Sequence, residues 1–157
     1  MKLNKYSRHR TVFVNLLVAS SLALAVGMIA HAATPFSNSE ALTTVQKLVQ
    51  AQTSFDQKTL AAITHTQYVE VSPAGEVDER SKVLGFYAIE NRKQVPSVEV
   101  LEPVFRDVAE GKLVIAKLLY KMQVGEQTRQ FAIRASYMLC QEKSEWKVCS
   151  SQYTGIR

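Results

Sequence analysis

Two neighbouring segments near the end of the chain decide the fold: TRQFAIRASYMLC at residues 128–140 and WKVCSSQYTGI at residues 146–156. Both are rich in residue types that favour β-strands. The sequence QEKSE at residues 141–145 joins them and is short and polar, as hairpin loops commonly are. We therefore predict that the two segments pair as an antiparallel hairpin.

The cysteines support this hairpin. Cys140 and Cys149 are the only two in the chain, and one lies in each segment. A register that places them opposite each other also places Glu142 opposite Lys147 and leaves residues 143–146 as the loop. Directly opposed residues of a non-hydrogen-bonded pair are close enough for a disulfide. We predict one intrachain disulfide, and two unrelated buried thiols are the alternative.

The start of the chain has the three parts of a secretory signal peptide. Residues 1–10 contain four basic residues and no acid, an uncharged apolar run covers residues 12–29, and Ala30-His31-Ala32 offers small residues for cleavage. We predict a signal peptide over residues 1–32 and one folded domain over residues 33–157. The apolar run is also long enough for an uncleaved membrane anchor, which is the alternative.

Export agrees with the cysteine content, because disulfides persist in oxidising compartments. We predict a periplasmic or secreted protein, or, if the N-terminal segment is retained, a membrane-anchored protein facing the periplasm. The formal net charge of +5 falls to +1 without residues 1–32, which carry four basic residues and no acid. Most of the excess positive charge therefore lies in the targeting segment, and we expect no nucleic-acid partner.

Three helices are predicted before the strands. The sequence SNSE at residues 37–40 has the form of a capping box, and apolar residues at helical spacing predict a helix over residues 39–53. Asp56 can cap a second helix over residues 57–64, and Asp78 can cap a third that runs to about Asn91. The remaining chain predicts strands at residues 67–72, 97–108, 113–124, 128–140 and 146–156, the second of them bent near Pro103.

This order of elements predicts a single α+β domain, with helices gathered on one face of a curved antiparallel sheet. The order, together with the stretch from Phe55 to the turn at residues 73–75, resembles the nuclear transport factor 2-like superfamily. Within this superfamily, the chain resembles most the small bacterial SnoaL-like domains of unassigned function. This resemblance rests on YVEVSPAG at residues 68–75 and WKVCSSQY at residues 146–153. It covers about residues 40–155 and implies a cone-shaped sheet with a pocket beneath the helices, but no particular activity.

The resemblance also excludes one activity. In ketosteroid isomerases of this superfamily, the general base is an Asp just before the turn, which falls here on Ser72. The oxyanion-hole Tyr falls near Leu48, and the protonated Asp falls near Ser136. Because Ser72 cannot serve as a base without help, we do not expect steroid isomerisation.

Counting alternate positions predicts which side chains face the pocket. If Ser72 and Ser136 face it, their neighbours at period two do so as well. We therefore expect six side chains to line one cavity: Tyr68, Glu70, Ser72, Arg134, Ser136 and Met138.

Glu70 and Arg134 are the first candidate catalytic residues. Arg134 would bind an anionic or carbonyl group and Glu70 would orient it, and the arginine would lower the pKa of that carboxyl. The alternatives are a structural ion pair, or a register slip that leaves both residues in solvent. His65, the only histidine after residue 32, could act as a proton shuttle or serve as a capping or surface residue.

The sequence predicts neither a metal nor a cofactor. One histidine and two bonded cysteines leave no set of metal ligands, and there is neither a glycine-rich phosphate loop nor a GxSxG motif. Lys117 and Lys121 share one face of their strand with Leu113, Ile115 and Leu119. In this superfamily such an outer face often packs against a second subunit, so we expect a homodimer; a half-solvated face is the alternative.

The function we predict is an exported module that binds a small apolar or carbonyl-bearing ligand, or that associates with proteins. The alternative is a cofactor-free cyclase, isomerase or hydratase that works through Glu70, Arg134 and His65.

Overall fold

The computed structural model describes residues 36–92, 96–109 and 111–156. The predicted signal peptide at residues 1–32 lies outside these residues. Within the described ranges, no helix has the length and apolar character needed to cross a membrane.

The first two helices agree with the sequence prediction. Helix α1 spans Asn38–Ser54, and its capping box is present: the Ser37 hydroxyl accepts from the Glu40 amide at 3.2 Å, while the Glu40 carboxylate accepts from the Ser37 amide at 2.9 Å. Phe55 ends the helix in a left-handed conformation, with φ of 57°. Helix α2 spans Gln57–Ile63, and the carboxylate of its cap, Asp56, accepts from the backbone amide of Thr59 at 2.9 Å.

The third helix is shorter than predicted. Helix α3 spans Arg80–Phe86, and a separate 3₁₀ turn spans Ile89–Asn91. Asp78 does not cap the helix, because it belongs to a short strand and accepts from Lys82 at 2.5 Å. The chain turns tightly after Phe86, where the carbonyl of Gly85 accepts from the amide of Ala88 at 3.3 Å.

The described residues form six strands: β1 Thr64–Val71, β2 Val77–Glu79, β3 Ser97–Val108, β4 Gly111–Val124, β5 Gln127–Glu142 and β6 Glu145–Gly155. These strands make one open, curved sheet in the order β2-β1-β6-β5-β4-β3. The predicted α+β class is confirmed, and one edge strand, β2, had no signal in the sequence. Four of the five pairings are antiparallel, whereas β1 and β6 run parallel. The sheet is therefore mixed, and the prediction that it is antiparallel throughout is wrong.

The register of the β5–β6 hairpin differs from the predicted one. Glu142 lies opposite Glu145, and Cys140 lies opposite Lys147. The loop is only the pair at residues 143–144, and both of its residues have positive φ, at 51° and 69°. Two-residue hairpin loops favour this conformation because it matches the twist of the strands. The sequence holds no Asn-Gly or Asp-Gly signal for it, so the loop was predicted too long.

The predicted disulfide is nevertheless present. Met138 pairs with Ser150 and Leu139 pairs with Val148, so Cys149 between them is the extra residue of a β-bulge. The Cα atoms of Cys149 and Cys140 are 6.0 Å apart, and their sulfur atoms are bonded to each other. The bulge brings the two cysteines together although they are not directly opposed.

The helices cover one face of the sheet, and the core lies between them. Alternate residues of β4 and β5 point into it, and Leu118 and Tyr137 are fully buried there. The residues between these positions lie on the outer face. The largest fully buried side chains are Leu48, Val45, Leu60, Val114, Leu118, Tyr137, Leu139 and Val148.

Candidate functional site

A group of polar side chains lies on the helix-covered face of the sheet, and we call it the interior polar cluster: Gln52, Tyr68, Glu70, Ser151 and Tyr153. Strand β1 places Tyr68 and Glu70 two residues apart, so both point toward the helices. The Tyr68 hydroxyl donates to the Glu70 carboxylate at 2.8 Å and lies 2.9 Å from the Ser151 hydroxyl. Because a hydroxyl has one proton, Ser151 donates to Tyr68 when Tyr68 donates to Glu70.

Helix α1 supplies the amide of this cluster. The Gln52 side-chain NH₂ donates to the Tyr153 hydroxyl at 3.1 Å and to the Glu70 carboxylate at 3.4 Å. Gln52 and Tyr153 are both buried. The cluster thus connects α1 with strands β1 and β6 through side chains that are far apart in sequence.

Burial raises the pKa of Glu70. The hydrogen bond from Tyr68 acts in the opposite direction, and the nearby charge of Asp78 raises the pKa further. No Lys, Arg or His among the described residues forms an ion pair with the Glu70 carboxylate. Its neighbours are therefore hydroxyl and amide donors and not a counter-charge.

Two aromatic pairs lie on the helix-covered side of the sheet, and we call them the aromatic rim: Phe86 with Tyr87, and Phe131 with Tyr120. Burial raises the pKa of both Tyr87 and Tyr120, and the charge of Glu70 raises each further. Both tyrosines are half-buried. Phe131 stacks on Tyr120 with ring centroids 4.7 Å apart, and Phe86 meets Tyr87 edge-on at 5.0 Å. Phe86 and Phe131 are 64% and 52% exposed.

Tyr137 is a polar group that the sequence analysis did not single out. Strand β5 points it into the core, edge-on to Tyr153 with ring centroids 6.2 Å apart. Its hydroxyl is buried and has no hydrogen-bond partner among the described residues. A buried polar group without a partner costs about 1–3 kcal/mol, so this hydroxyl lowers the stability of the core.

Only two of the six predicted pocket residues, Tyr68 and Glu70, lie together in the interior. The Ser72 hydroxyl accepts from the backbone amides of Ala74 and Glu76 at 3.3 and 3.2 Å, so it organises the turn after β1. The polar side chains around Glu70 therefore differ from the predicted pocket residues.

The other three predicted pocket residues, Arg134, Ser136 and Met138, lie on the outer face of the sheet. Arg134 donates there to the Glu102 carboxylate at 3.1 Å. The expected pairing of Arg134 with Glu70 is wrong, because the assignment placed Ser136 inward and so reversed both faces of β5. Ala135, Tyr137 and Leu139 occupy the inward positions, and their alternation with polar residues was the signal available in the sequence.

His65 lies apart from the interior polar cluster, at the start of β1 and beside the disulfide. Its Nδ1 accepts from the amide of Gln67 at 3.0 Å, and its Nε2 lies 3.7 Å from the Glu142 carboxylate. Potential ligand atoms of His65, Cys140 and Cys149 lie within 4.8 Å of one another. Because the two sulfur atoms are bonded to each other, they are not available as thiolate ligands.

An open curved sheet with helices on one face defines the class of protein: the chain has the nuclear transport factor 2-like fold. No protein-family model and no curated protein matches the sequence. Solved structures do match, with 14–20% identity among the three described next, which shows the fold alone.

The first is a nuclear transport factor 2-like protein from Cytophaga hutchinsonii, 20% identical, which covers 74% of this chain and 95% of its own, with a TM-score of 0.64. The second is the association domain of C. elegans CaMKII, 17% identical over 74% of this chain and 93% of its own, with a TM-score of 0.67. The third is a candidate dehydratase of the same fold family from Streptomyces avermitilis. It is 14% identical, covers 75% of this chain and 95% of its own, and has a TM-score of 0.64.

Proposed function

We propose that this protein is an exported module that binds a small ligand on the helix-covered face of its sheet. The observation that carries the proposal is the Glu70 carboxyl, which is partly buried and accepts hydrogen bonds from the Tyr68 hydroxyl and the Gln52 amide. Ligand sites in proteins typically combine apolar and aromatic walls with a few converging polar groups, and perturbed titratable groups favour such sites.

A purely structural role for Glu70 is the competing explanation. Structural carboxylates that are buried usually have an arginine or lysine partner, because an uncompensated charge is costly in the interior. Glu70 has no such partner among the described residues. A partly buried carboxyl without a basic partner favours a ligand site over a structural role.

Native mass spectrometry of the protein purified from its own envelope tests this proposal. We expect a retained small molecule in the wild type and in Glu76→Gln, an exposed matched control, and its loss in Glu70→Gln. A wild-type protein that carries no small molecule, and that binds no compound from a fragment set, would contradict the proposal. The same spectrum reports whether residues 1–32 have been removed.

Export is supported by the Cys140–Cys149 bond. Disulfides of this kind persist outside reducing compartments, so a periplasmic or secreted location fits the bond. Fractionation of cells, with the wild-type protein followed by antibody, tests this part separately. Recovery of the protein with free thiols from the cytosol would contradict export.

Self-association is a second candidate function, and the outer face of the sheet favours it. Leu113, Ile115 and Leu119 are half-buried there beside Lys117 and Lys121, a mixture that a second copy could cover. One of the matching structures is itself described as an association domain. Light scattering should give the mass of a dimer, and Ile115→Lys should reduce it to that of a monomer. A monomeric wild-type protein would contradict this candidate.

An enzymatic role stays the alternative, because a carboxyl with a raised pKa suits general acid–base catalysis. The retained molecule decides between the two: an enzyme converts it in a time-dependent way, whereas a binding module releases it unchanged on denaturation.

A further inference from the structure

We infer that the Cys140–Cys149 disulfide is a thiol–disulfide exchange site, at which a small dithiol reduces the bond while the imidazole of His65 donates a hydrogen bond to the departing sulfur. This site is separate from the ligand site proposed around Glu70, and neither proposal depends on the other. The substrate class is a dithiol, because a second thiol on the same molecule completes the reduction.

An irregular pairing between β1 and β6 places His65 beside the disulfide. Between its paired positions Thr64 and Val69, β1 has four residues, whereas β6 has only Cys149 between the partners of those positions. His65 is the first of the four residues. One of its ring nitrogens lies within 4.8 Å of the sulfur atoms of both Cys140 and Cys149. The strand ladder is therefore interrupted at the point where the imidazole and the disulfide meet.

The tautomer of His65 makes its imidazole a hydrogen-bond donor. Nδ1 accepts from the backbone amide of Gln67 at 3.0 Å. Because a neutral imidazole has one donor nitrogen and one acceptor nitrogen, the proton is on Nε2. A metal ligand needs the opposite, an unprotonated nitrogen, so this arrangement disfavours a metal bound through Nε2. A nitrogen that carries a proton suits a thiolate, which accepts hydrogen bonds.

The Nε2 proton lies on the same side of β5 as the disulfide. Glu142 follows Cys140 by two positions, so their side chains share one face of the strand, and Nε2 of His65 is 3.7 Å from the Glu142 carboxylate. That distance is too long for a hydrogen bond. The carboxylate already accepts from the amide and the hydroxyl of Thr66. The Nε2 proton is thus available to a thiolate formed at the disulfide.

The site is open to a reagent, and its flanking basic groups are already engaged. Both cysteines are half-buried, and the imidazole and the Glu142 side chain are each 20% exposed. Lys147 lies opposite Cys140 but pairs with Glu145 and donates to a backbone carbonyl of α2. Arg80 also donates to a carbonyl of α2. We therefore assign the stabilisation of the thiolate to the imidazole.

The exchange consists of two displacements that conserve electrons. A thiolate of the dithiol attacks one cysteine sulfur and forms a mixed disulfide, while the other sulfur leaves as a thiolate with the electron pair of the broken S–S bond. The second thiol of the reductant loses its proton to solvent and attacks the sulfur of its own molecule in the mixed disulfide. The reductant leaves as a cyclic disulfide, and the second cysteine sulfur is released as a thiolate. The protein gains two electrons, and its thiolates take up protons from solvent.

Dithiothreitol is the probe, and two substitutions of His65 separate its donor from its acceptor. Asparagine keeps an oxygen that accepts from the Gln67 amide but has no donor at the Nε2 position, whereas the longer glutamine places an NH₂ group near it. Alkylation of free thiols and mass spectrometry follow the reduction at neutral pH. We expect His65→Asn to be reduced about five- to tenfold more slowly than the wild type, because hydrogen bonds to charged groups are strong. The rate for His65→Gln should lie between the two.

Damage to the fold does not mimic this result, because looser packing exposes a disulfide and speeds its reduction. Glu142→Gln should also speed the reduction, since it removes a negative charge beside the departing thiolate. Glu76→Gln, in the exposed turn, is the matched control and should keep the wild-type rate. If His65→Asn is reduced as fast as the wild type or faster, the inference is overturned, and the proposed ligand site is unaffected.

The reduced protein provides a second measurement. The ultraviolet absorbance of the thiolate should appear at lower pH in the wild type than in His65→Asn, because a hydrogen bond from Nε2 favours the charged form. Identical titrations would overturn the inference. Zinc binding by the reduced wild type that is lost in both His65 variants would overturn it as well, because Nε2 would then hold a metal and not a proton.

Discussion

At the scale of single residues, Glu70 is a partly buried carboxyl whose hydrogen-bond partners are a hydroxyl and an amide. Burial disfavours its ionised form, and the hydrogen bond from Tyr68 offsets only part of that effect. A carboxyl whose pKa is higher in the folded than in the unfolded state binds protons more tightly when folded. Its contribution to stability therefore decreases as pH rises from the unfolded-state pKa through the folded-state pKa.

Glu70→Gln should accordingly stabilise the ligand-free protein at neutral pH. Glutamine keeps an oxygen that accepts from Tyr68, but it carries no charge. We expect the free energy of unfolding of the variant to rise relative to the wild type between about pH 4 and pH 7, because only the wild type loses stability as Glu70 ionises. Urea denaturation across this pH range measures the difference. A difference that does not change with pH, or that also occurs in Glu76→Gln, would show that Glu70 ionisation is not the cause.

At the scale of secondary-structure elements, the β5–β6 hairpin is held in three ways. Its turn is made by Lys143 and Ser144 in the left-handed region, the bulge at Cys149 bends β6, and the disulfide joins the two strands. The turn and the bulge change the register from the predicted one. Both depend on backbone geometry that the residue types in this hairpin do not predict.

The disulfide should stabilise the fold without being required for it. Cys140 and Cys149 are nine residues apart in sequence, so the bond closes a short loop and is expected to contribute about 2–3 kcal/mol. The variant Cys140→Ala/Cys149→Ala should lose this amount in urea denaturation and keep the far-ultraviolet circular dichroism of the wild type. The wild type under reducing conditions is the matched control, and equal stability of oxidised and reduced wild type would contradict the prediction.

Arg134→Met should separate the outer face of β5 from the ligand site. The pair with Glu102 is partly exposed, so its loss should change the free energy of unfolding by less than about 1 kcal/mol. Binding of the retained molecule should be unchanged, because Arg134 lies on the opposite side of the sheet from Glu70. Loss of binding by a variant that keeps its fold would show that Arg134 belongs to the ligand site after all.

At the scale of the whole molecule, the sheet separates a helix-covered face from an outer face. Two adjacent leucines of β4 report this division, because Leu118 is fully buried under the helices and Leu119 is half-buried on the outer face. The same strand thus contributes to the core and to the candidate association surface.

Leu118→Ala should lower the free energy of unfolding by about 2–5 kcal/mol, the cost of a cavity in a closely packed core. Leu119→Ala, which removes the same atoms one position along, should cost less than about 1.5 kcal/mol in the monomer. Chemical denaturation of both variants at low protein concentration makes the comparison. Equal losses would mean that the two faces of the sheet are buried to the same degree.

Much of the fold could be predicted from local patterns. The capping box at Ser37, the Asp56 cap and the bend of β3 all depend on residues close together in sequence. The candidate site could be predicted only in part: Tyr68 and Glu70 followed from their spacing on one strand. Gln52 bonds Glu70 from 18 residues away in sequence, and Tyr153 bonds Gln52 from 101 residues away. Local patterns carry no signal for pairs that are so far apart.

By itself, the sequence determined the α+β class, the order of the three helices and of five of the six strands, and the pairing of the two cysteines, because capping, periodicity and turn chemistry act over a few residues. Only the tertiary structure decided that β1 lies parallel to β6, that Arg134 faces away from Glu70, and that the carboxyl has no basic partner among the described residues. A shift of one position along a strand exchanges the two faces of a sheet, and that choice is made by packing the apolar side chains against the helices.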